Sequence, residues 1–165
     1  MAKLDKSSID VETKWRYMIP VSHQFYIYAR QVAGDLLGEE RADDFVQRFW
    51  QRSGRETGRL YLTKAKLNPD DLIGLARAME RSSAIMGEDT EIVVENEKVF
   101  FVHNHCPWPN SYADAGLPES CQGGCDAWFR EASAAVSPRI RVRTTKSIPS
   151  GDGSCVRELW IEKSE

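Results

Sequence analysis

The stretch EIVVENEKVFFVH, residues 91–103, decides the fold of this chain. Short apolar runs stand on either side of Asn96-Glu97 and predict two strands, 91–95 and 98–103, joined as a β-hairpin. The residues before this stretch follow a helical period instead. The hairpin therefore marks the change from a helical N-terminal half to a sheet-forming C-terminal half.

Two amphipathic helices are predicted in the first third of the chain. Apolar residues recur at helical spacing after Pro20, and Gly38 suits the end of the first helix. The second helix follows at once and is expected to fade near Gly54 or Gly58. Residues 1–20 are charged and mixed, so we expect them to form a flexible N-terminal segment.

A third helix is predicted to begin at Asn68-Pro69-Asp70-Asp71. Asn68 can serve as the N-cap, proline is favoured at the first helical position, and acidic residues suit the positive end of the helix dipole. Gly87 is expected to end this helix, just before the hairpin.

The C-terminal half continues the hairpin with a long loop, a helix and two more strands. The loop, about 104–124, is rich in proline, glycine and asparagine, and a helix over 125–136 follows it. Strands are predicted at 139–147 and 154–162. Residues 21–165 are therefore expected to form one α+β domain. Its N-terminal helices pack on a small antiparallel sheet of about four strands, with a ββαββ C-terminal half.

Composition excludes several classes of protein. The chain has 165 residues, of which 41% are hydrophobic and 28% charged, and its net charge of −3 disfavours a general nucleic-acid binder. No apolar stretch approaches the ~20 residues of a membrane helix, and the N-terminus lacks the apolar core of a signal peptide. We therefore expect a cytoplasmic protein with no membrane or nucleic-acid partner.

Four cysteines are the main chemical signal, and in the cytoplasm they should be reduced thiols. They follow the spacing C-x14-C-x3-C-x29-C and form a cluster with two histidines inside residues 103–155. No pair has the C-x2-C spacing of a zinc ribbon. The six residues are Cys106, Cys121, Cys125, Cys155, His103 and His105.

Three interpretations of this cluster stay open. The four cysteines and His103 are candidate ligands for zinc or iron, since thiolates favour these metals over magnesium. Alternatively Cys106, at the end of a strand, is a nucleophile with His105 or His103 as its base. A lone inward cysteine is also common as a small buried hydrophobe, and Cys155 has the strand parity of an inward residue.

Other residues near the cysteines could bind or activate a small molecule. Asp152 lies in a Ser-Gly-Asp-Gly turn and could take part in acid–base chemistry, although aspartate is common in turns for conformational reasons. Arg143 belongs to a row of alternating arginines that could hold a carboxylate. Trp50, Trp128 and Phe129 stand at helical spacing, which is typical of core residues.

A set of short motifs runs through the C-terminal half of the chain: Cys106-Pro107-Trp108, Gly116-Leu117-Pro118-Glu119, Cys121, Cys125-Asp126, Arg143-Thr144, Ser147-Ile148 and Gly151-Asp152 with Cys155. On these motifs the chain resembles the L-2-amino-thiazoline-4-carboxylate hydrolase-like family over about residues 25–162, and more distantly the vinyl-reductase-type sensor domains. In two places the chain departs from the family pattern: Trp128 replaces a frequent acid and Arg157 a frequent aromatic residue.

The resemblance implies a hydrolase that opens a small cyclic amidine carrying a carboxylate, by cleaving a C–N bond at a cysteine or metal centre. Under this hypothesis Cys106, His105 and Asp152 are catalytic, and Arg143 and Trp108 contact the substrate. The alternative is a metal-containing sensor or binding module without catalysis. The two aromatic-rich N-terminal helices could also supply the surface of a homodimer.

Overall fold

The structure is a computed structural model that describes residues 9–163. These residues form five α-helices, four strands and one short 3-10 helix, Ile148–Ser150. No helix among them is both long and apolar enough to cross a membrane. The helices are α1 Val11–Leu37, α2 Glu39–Thr63, α3 Leu72–Ile85, α4 Trp108–Asp114 and α5 Ser120–Val136; the strands are β1 Asp89–Glu95, β2 Lys98–His105, β3 Ile140–Lys146 and β4 Cys155–Ile161.

The four strands form one antiparallel sheet in the order β1-β2-β4-β3, which confirms the predicted α+β class. Two hairpins meet at the central pair β2·β4, where His103 lies opposite Cys155 and Phe101 lies opposite Arg157. Because side chains alternate across a strand, all four of these residues belong to one face, and all four are buried. The main hydrophobic core packs on this inner face with α3 and α5.

Helix α1 begins earlier than the sequence predicts. Asp10 caps it by accepting a hydrogen bond of 2.7 Å from the backbone N–H of Thr13. Pro20 lies inside the helix and only removes one backbone donor from it. Residues 11–20 are therefore helical, whereas residues 1–8 of the expected flexible segment lie outside the described part of the chain.

Helix α2 does not fade at Gly54 or Gly58, because both glycines are buried against α5. A Cβ atom at Gly54 would lie 2.4 Å from the carbonyl oxygen of Trp128, and one at Gly58 would lie 2.4 Å from that of Ala132. The two helices therefore touch backbone to backbone, four residues apart on each. This close crossing fixes the position of Trp128, which lines the cavity described below.

The start of α3 uses the predicted residues in a different arrangement. Asp71, not Asn68, is the N-cap, and its carboxylate accepts a hydrogen bond of 2.8 Å from the backbone N–H of Gly74. Asp70 pairs instead with Arg139 and accepts a hydrogen bond from Ser137. These contacts tie the start of α3 to the turn before β3.

Candidate functional site

A cavity of about 490 Å³ lies between the helices and the inner face of the sheet. Every one of α1 to α5 contributes to its wall, together with β2, β4 and the turn before β4. Its size is within the range of protein sites for small organic ligands. The lining residues are Ser22, Tyr26, Phe49, Trp50, Ser53, Thr57, Ser82, Ser83, Ile85, Met86, Glu88, His103, Cys106, Trp108, Pro109, Tyr112, Cys121, Gln122, Cys125, Trp128, Phe129, Ser147, Pro149, Cys155 and Arg157.

The helical wall of the cavity is aromatic. The ring centroids of Tyr26 and Trp50 lie 5.0 Å apart, and the rings of Trp50 and Trp108 meet edge to face with their centroids 5.3 Å apart. The indole N–H of Trp50 donates to the hydroxyl of Tyr112 at 3.3 Å. Burial raises the pKa of Tyr26 and of Tyr112, so both phenols stay neutral at physiological pH. This wall can pack a planar apolar ring in tilted and edge-to-face contacts.

The sheet wall carries a buried polar chain. Nε2 of His103 lies 3.0 Å from a carboxylate oxygen of Glu88, and Nδ1 of His103 lies 3.3 Å from Nη1 of Arg157. Arginine only donates, so Nδ1 must accept and Nε2 must carry the proton that it donates to Glu88. The imidazole thus connects the carboxylate to the guanidinium, and the side chains of His103 and Arg157 are each under 5% exposed.

Three cavity-lining residues keep a buried polar atom without a hydrogen-bond partner among the residues that the structure describes. These atoms are Nε of Arg157 and the hydroxyl oxygens of Ser147 and Tyr26. Unsatisfied buried groups are rare in folded proteins, since each costs free energy. Arg157 also lies with its guanidinium carbon 4.6 Å from the ring centroid of Phe129. The cavity wall therefore offers unused donors to an occupant.

All four cysteines line this cavity as free thiols, and His103 lines it as well. The structure therefore brings together the five residues that the sequence predicts as metal ligands. Within 9–163, no group of three or more histidine, cysteine, aspartate or glutamate side chains could hold a metal ion. The zinc or iron centre that the sequence predicts therefore gains no support from the described residues and stays a prediction.

The cavity thiols are poorly activated. Burial raises the pKa of Cys121 to about 12, helped by the nearby Cys125 and Cys155, and burial also raises the pKa of Cys106 and of Cys125. At neutral pH these three thiols stay protonated, and the thiol form is not the nucleophile. Cys106, which the sequence singles out as reactive, has its ionised form disfavoured.

We expect the cavity thiols to resist alkylation at neutral pH. For Cys121 a pKa of about 12 lowers the thiolate fraction about a thousandfold relative to the ordinary value of 9.0. Iodoacetamide labelling of Cys121, followed by peptide mass spectrometry, should be slow at pH 7 and should accelerate tenfold per pH unit up to pH 10. Glutathione provides the reference rate, and labelling of Cys121 as fast as glutathione at pH 7 would contradict this expectation.

Three other predicted site residues lie away from the cavity lining. His105 is exposed at the end of β2, and exposed Asp152 accepts a hydrogen bond of 2.7 Å from the backbone N–H of Ser147 within its turn. Arg143 lies on the outer face of the sheet, where it pairs with Glu158 and stands 5.8 Å from the ring centroid of Trp160. Of the predicted catalytic and substrate residues, only Cys106 and Trp108 line the cavity.

Several lining residues were not predicted as site residues. Strand parity alone could have identified Arg157, because it places this charged residue at an inward-facing position between Cys155 and Leu159. No sequence pattern pointed to Glu88, since it follows Gly87 in what looks like an ordinary turn. In the sequence, the residues of the aromatic wall resembled core residues. Those on α1 and α2 are far from the cysteines along the chain, so nothing in the sequence assigned them to the same site.

Residues 18–158 match the sequence profile of the L-2-amino-thiazoline-4-carboxylic acid hydrolase family. No curated protein is significantly similar to the chain in sequence. Two solved structures share its fold at low identity. One is the phenol-responsive sensory domain of the transcription activator PoxR, with phenol (TM-score 0.58, 16% identity, 86% of this chain and 72% of that chain).

The second is a trafficking protein particle complex subunit 3 from Naegleria fowleri covalently bound to palmitic acid (TM-score 0.59, 13% identity, 90% of this chain and 97% of that chain). At such identities the two structures establish the fold alone. The family match, in contrast, covers most of the sequence and includes all four cysteines. The chain therefore belongs to the L-2-amino-thiazoline-4-carboxylic acid hydrolase family.

Proposed function

We propose that this protein binds a small aromatic molecule in the cavity between its helices and its sheet. The observation that carries the proposal is an aromatic-walled cavity of about 490 Å³ that also holds buried polar atoms for which residues 9–163 supply no hydrogen-bond partner. Such a combination of apolar walls and a few convergent polar groups is typical of ligand sites. The two similar structures, of a domain with phenol and a subunit with palmitic acid, support a fold that accommodates organic ligands.

Intrinsic fluorescence tests this proposal, since Trp50, Trp108 and Trp128 line the cavity. Titration with phenol and benzoate should give saturable quenching by at least one of them. The change should shrink in Trp50→Phe and persist in Trp160→Phe, which alters a tryptophan outside the lining. Unsaturable quenching by both probes, or equal loss of the signal in both variants, would contradict binding in this cavity.

A second candidate function is the hydrolysis of a C–N bond in a small cyclic amidine, which family membership favours. Ring opening needs a nucleophile for an sp² carbon and an acid for the departing nitrogen. Of the three predicted catalytic residues, Cys106 lines the cavity, whereas His105 and Asp152 do not. A test is the turnover of 2-aminothiazoline-4-carboxylate by the wild type and by Cys106→Ala. Turnover that Cys106→Ala abolishes would support this candidate; no turnover by either would reject it.

We also propose that the protein forms an antiparallel homodimer through α1. An exposed stripe on this helix follows the alternating spacing of four and three residues that lets two helices pack side by side. Three of its side chains, Val11, Phe25 and Leu36, are more than 70% exposed. The stripe consists of Val11, Trp15, Met18, Phe25, Ala29, Val32 and Leu36, and the half-buried Ser22, which lines the cavity, completes the spacing.

Charge favours a second copy of this chain, in antiparallel orientation, as the occupant of the stripe. Arg16 pairs with Glu12 and Glu39 pairs with Arg30, which leaves Lys14 near the start of α1 and Asp35 near its end as the charges available to a partner. A twofold axis through the helix centre would set Lys14 of one copy beside Asp35 of the other. The helix has 27 residues, or about 40 Å of contact length.

The dimer should be lost when a charge enters the stripe. We expect light scattering after size exclusion to give twice the chain mass for the wild type at micromolar concentration, and one chain mass for Phe25→Glu. Leu60→Glu is the matched control, since Leu60 is also exposed but lies on α2 outside the stripe. A monomeric wild type, or dissociation by both variants alike, would contradict the proposal.

A further inference from the structure

We infer that the ligand of the cavity carries a carboxylate and that Arg157 is the residue that binds it, an inference that rests on the proposed small-molecule-binding function. Arg157 lies on the inner face of β4, between the buried side chains of Cys155 and Leu159, and only 2% of its surface is exposed. Arginine keeps its charge even when buried. A buried cation at the wall of a cavity calls for a counter-ion.

The hydrogen bonding of Arg157 is incomplete within the described residues. Nη1 is used by His103, but Nε has no partner. A carboxylate oxygen of Asp126 lies 3.8 Å from Nη2 of the guanidinium, which is too far for a hydrogen bond. The guanidinium edge formed by Nε and Nη2 is thus without an acceptor. A planar carboxylate matches such an edge with two parallel hydrogen bonds.

Two acidic residues lie near this cation, and each is occupied by another group. Glu88 interacts with the far nitrogen of His103 at 3.0 Å. Asp126 accepts a hydrogen bond of 2.5 Å from the hydroxyl of Thr144, and its side chain is about one-third exposed, so solvent screens its charge. Neither carboxylate makes a direct hydrogen bond to the guanidinium, which leaves that role to a ligand.

The surroundings of Arg157 define the class of ligand. Ser147, whose buried hydroxyl also finds no partner in the described part of the chain, lines the same cavity and offers a further donor. The aromatic wall of Tyr26, Trp50 and Tyr112 accommodates a ring. The cavity therefore suits an aromatic or similarly planar monocarboxylate of one or two rings.

Calorimetric titration with benzoate and benzamide tests the inference, because the two probes share size and shape and differ in charge. The wild type should bind benzoate at least about tenfold more tightly than benzamide, as expected for a charged hydrogen-bonded pair. Arg157→Gln should remove this preference and leave benzamide affinity within threefold of the wild-type value. Arg143→Gln, which alters an arginine on the outer face, should keep the preference.

The outcomes separate the two proposals. Equal affinity of the wild type for both probes would overturn the carboxylate inference while leaving a small-molecule site in place. A preference for benzoate that survives in Arg157→Gln but not in Arg143→Gln would also overturn it, and would move the anchor to Arg143. Binding of neither benzoate, benzamide nor phenol would overturn both proposals. If Arg157→Gln does not fold, the wild-type comparison of the two probes still decides.

Discussion

Replacing Gly54 by alanine is expected to destabilise the protein by about 3 kcal/mol, the upper end of the usual range for an overpacking substitution. The added methyl group would lie 2.4 Å from the carbonyl oxygen of Trp128 and 3.0 Å from its Cα atom. Backbone atoms of α5 cannot move aside as a flexible side chain can. The helices would have to separate, and the packing of α5 on the sheet would be disturbed.

Gly123→Ala is the control for this prediction. Gly123 is also helical and lies on α5, but an added Cβ would meet only the end of the Gln47 side chain, 3.0 Å away. Because alanine has the higher helix propensity, this variant should be unchanged or more stable by up to about 1 kcal/mol. Urea denaturation of both variants measures the difference. Equal stabilities would contradict a backbone-to-backbone crossing of α2 and α5.

Replacing His103 by leucine should lower the free energy of unfolding by about 3 kcal/mol or more. The substitution removes Nε2 of His103, which donates to the buried carboxylate of Glu88. It also removes Nδ1, which accepts from Nη1 of Arg157. Removing one member of a buried polar chain is costly because the remaining groups are not rehydrated. The effect on stability should therefore exceed that of an ordinary surface substitution several times over.

His105→Leu is the matched control, two residues further along the same strand. His105 is exposed, so its replacement should change stability by no more than about 0.5 kcal/mol. Denaturation of both variants at pH 7 provides the measurement. A loss below about 1 kcal/mol for His103→Leu would show that the chain from Glu88 to Arg157 does not contribute to stability as described.

The fold could be predicted from local patterns where those patterns were strong. The stretch 91–103 indicated the first hairpin, and strand parity correctly placed Cys155 on the inner face. The misjudged boundaries depended on tertiary contacts instead. Gly54 and Gly58 look like helix-ending residues in isolation, but in the structure they permit a close helix crossing.

The site was less accessible to sequence reasoning, for a physical reason. The cysteine segment pointed to the correct cavity, because Cys106, Cys121, Cys125 and Cys155 all line it. The rest of the cavity comes from α1, α2 and α3, whose residues are far from the cysteines along the chain. An aromatic residue such as Trp50 has the same helical spacing whether it faces a solid core or a cavity. Only the three-dimensional arrangement distinguishes the two.

The most direct test of the central claim, a cavity that binds an aromatic carboxylate, is a crystal structure of the protein soaked with 4-bromobenzoate. Bromine can be located by its anomalous signal independently of any interpretation of the density. We predict one strong peak inside the cavity near Trp50 and Tyr112, with the carboxylate at Arg157. A bromine peak only on the outer surface, or an ordered ring in the cavity with its carboxylate away from Arg157, would contradict the account.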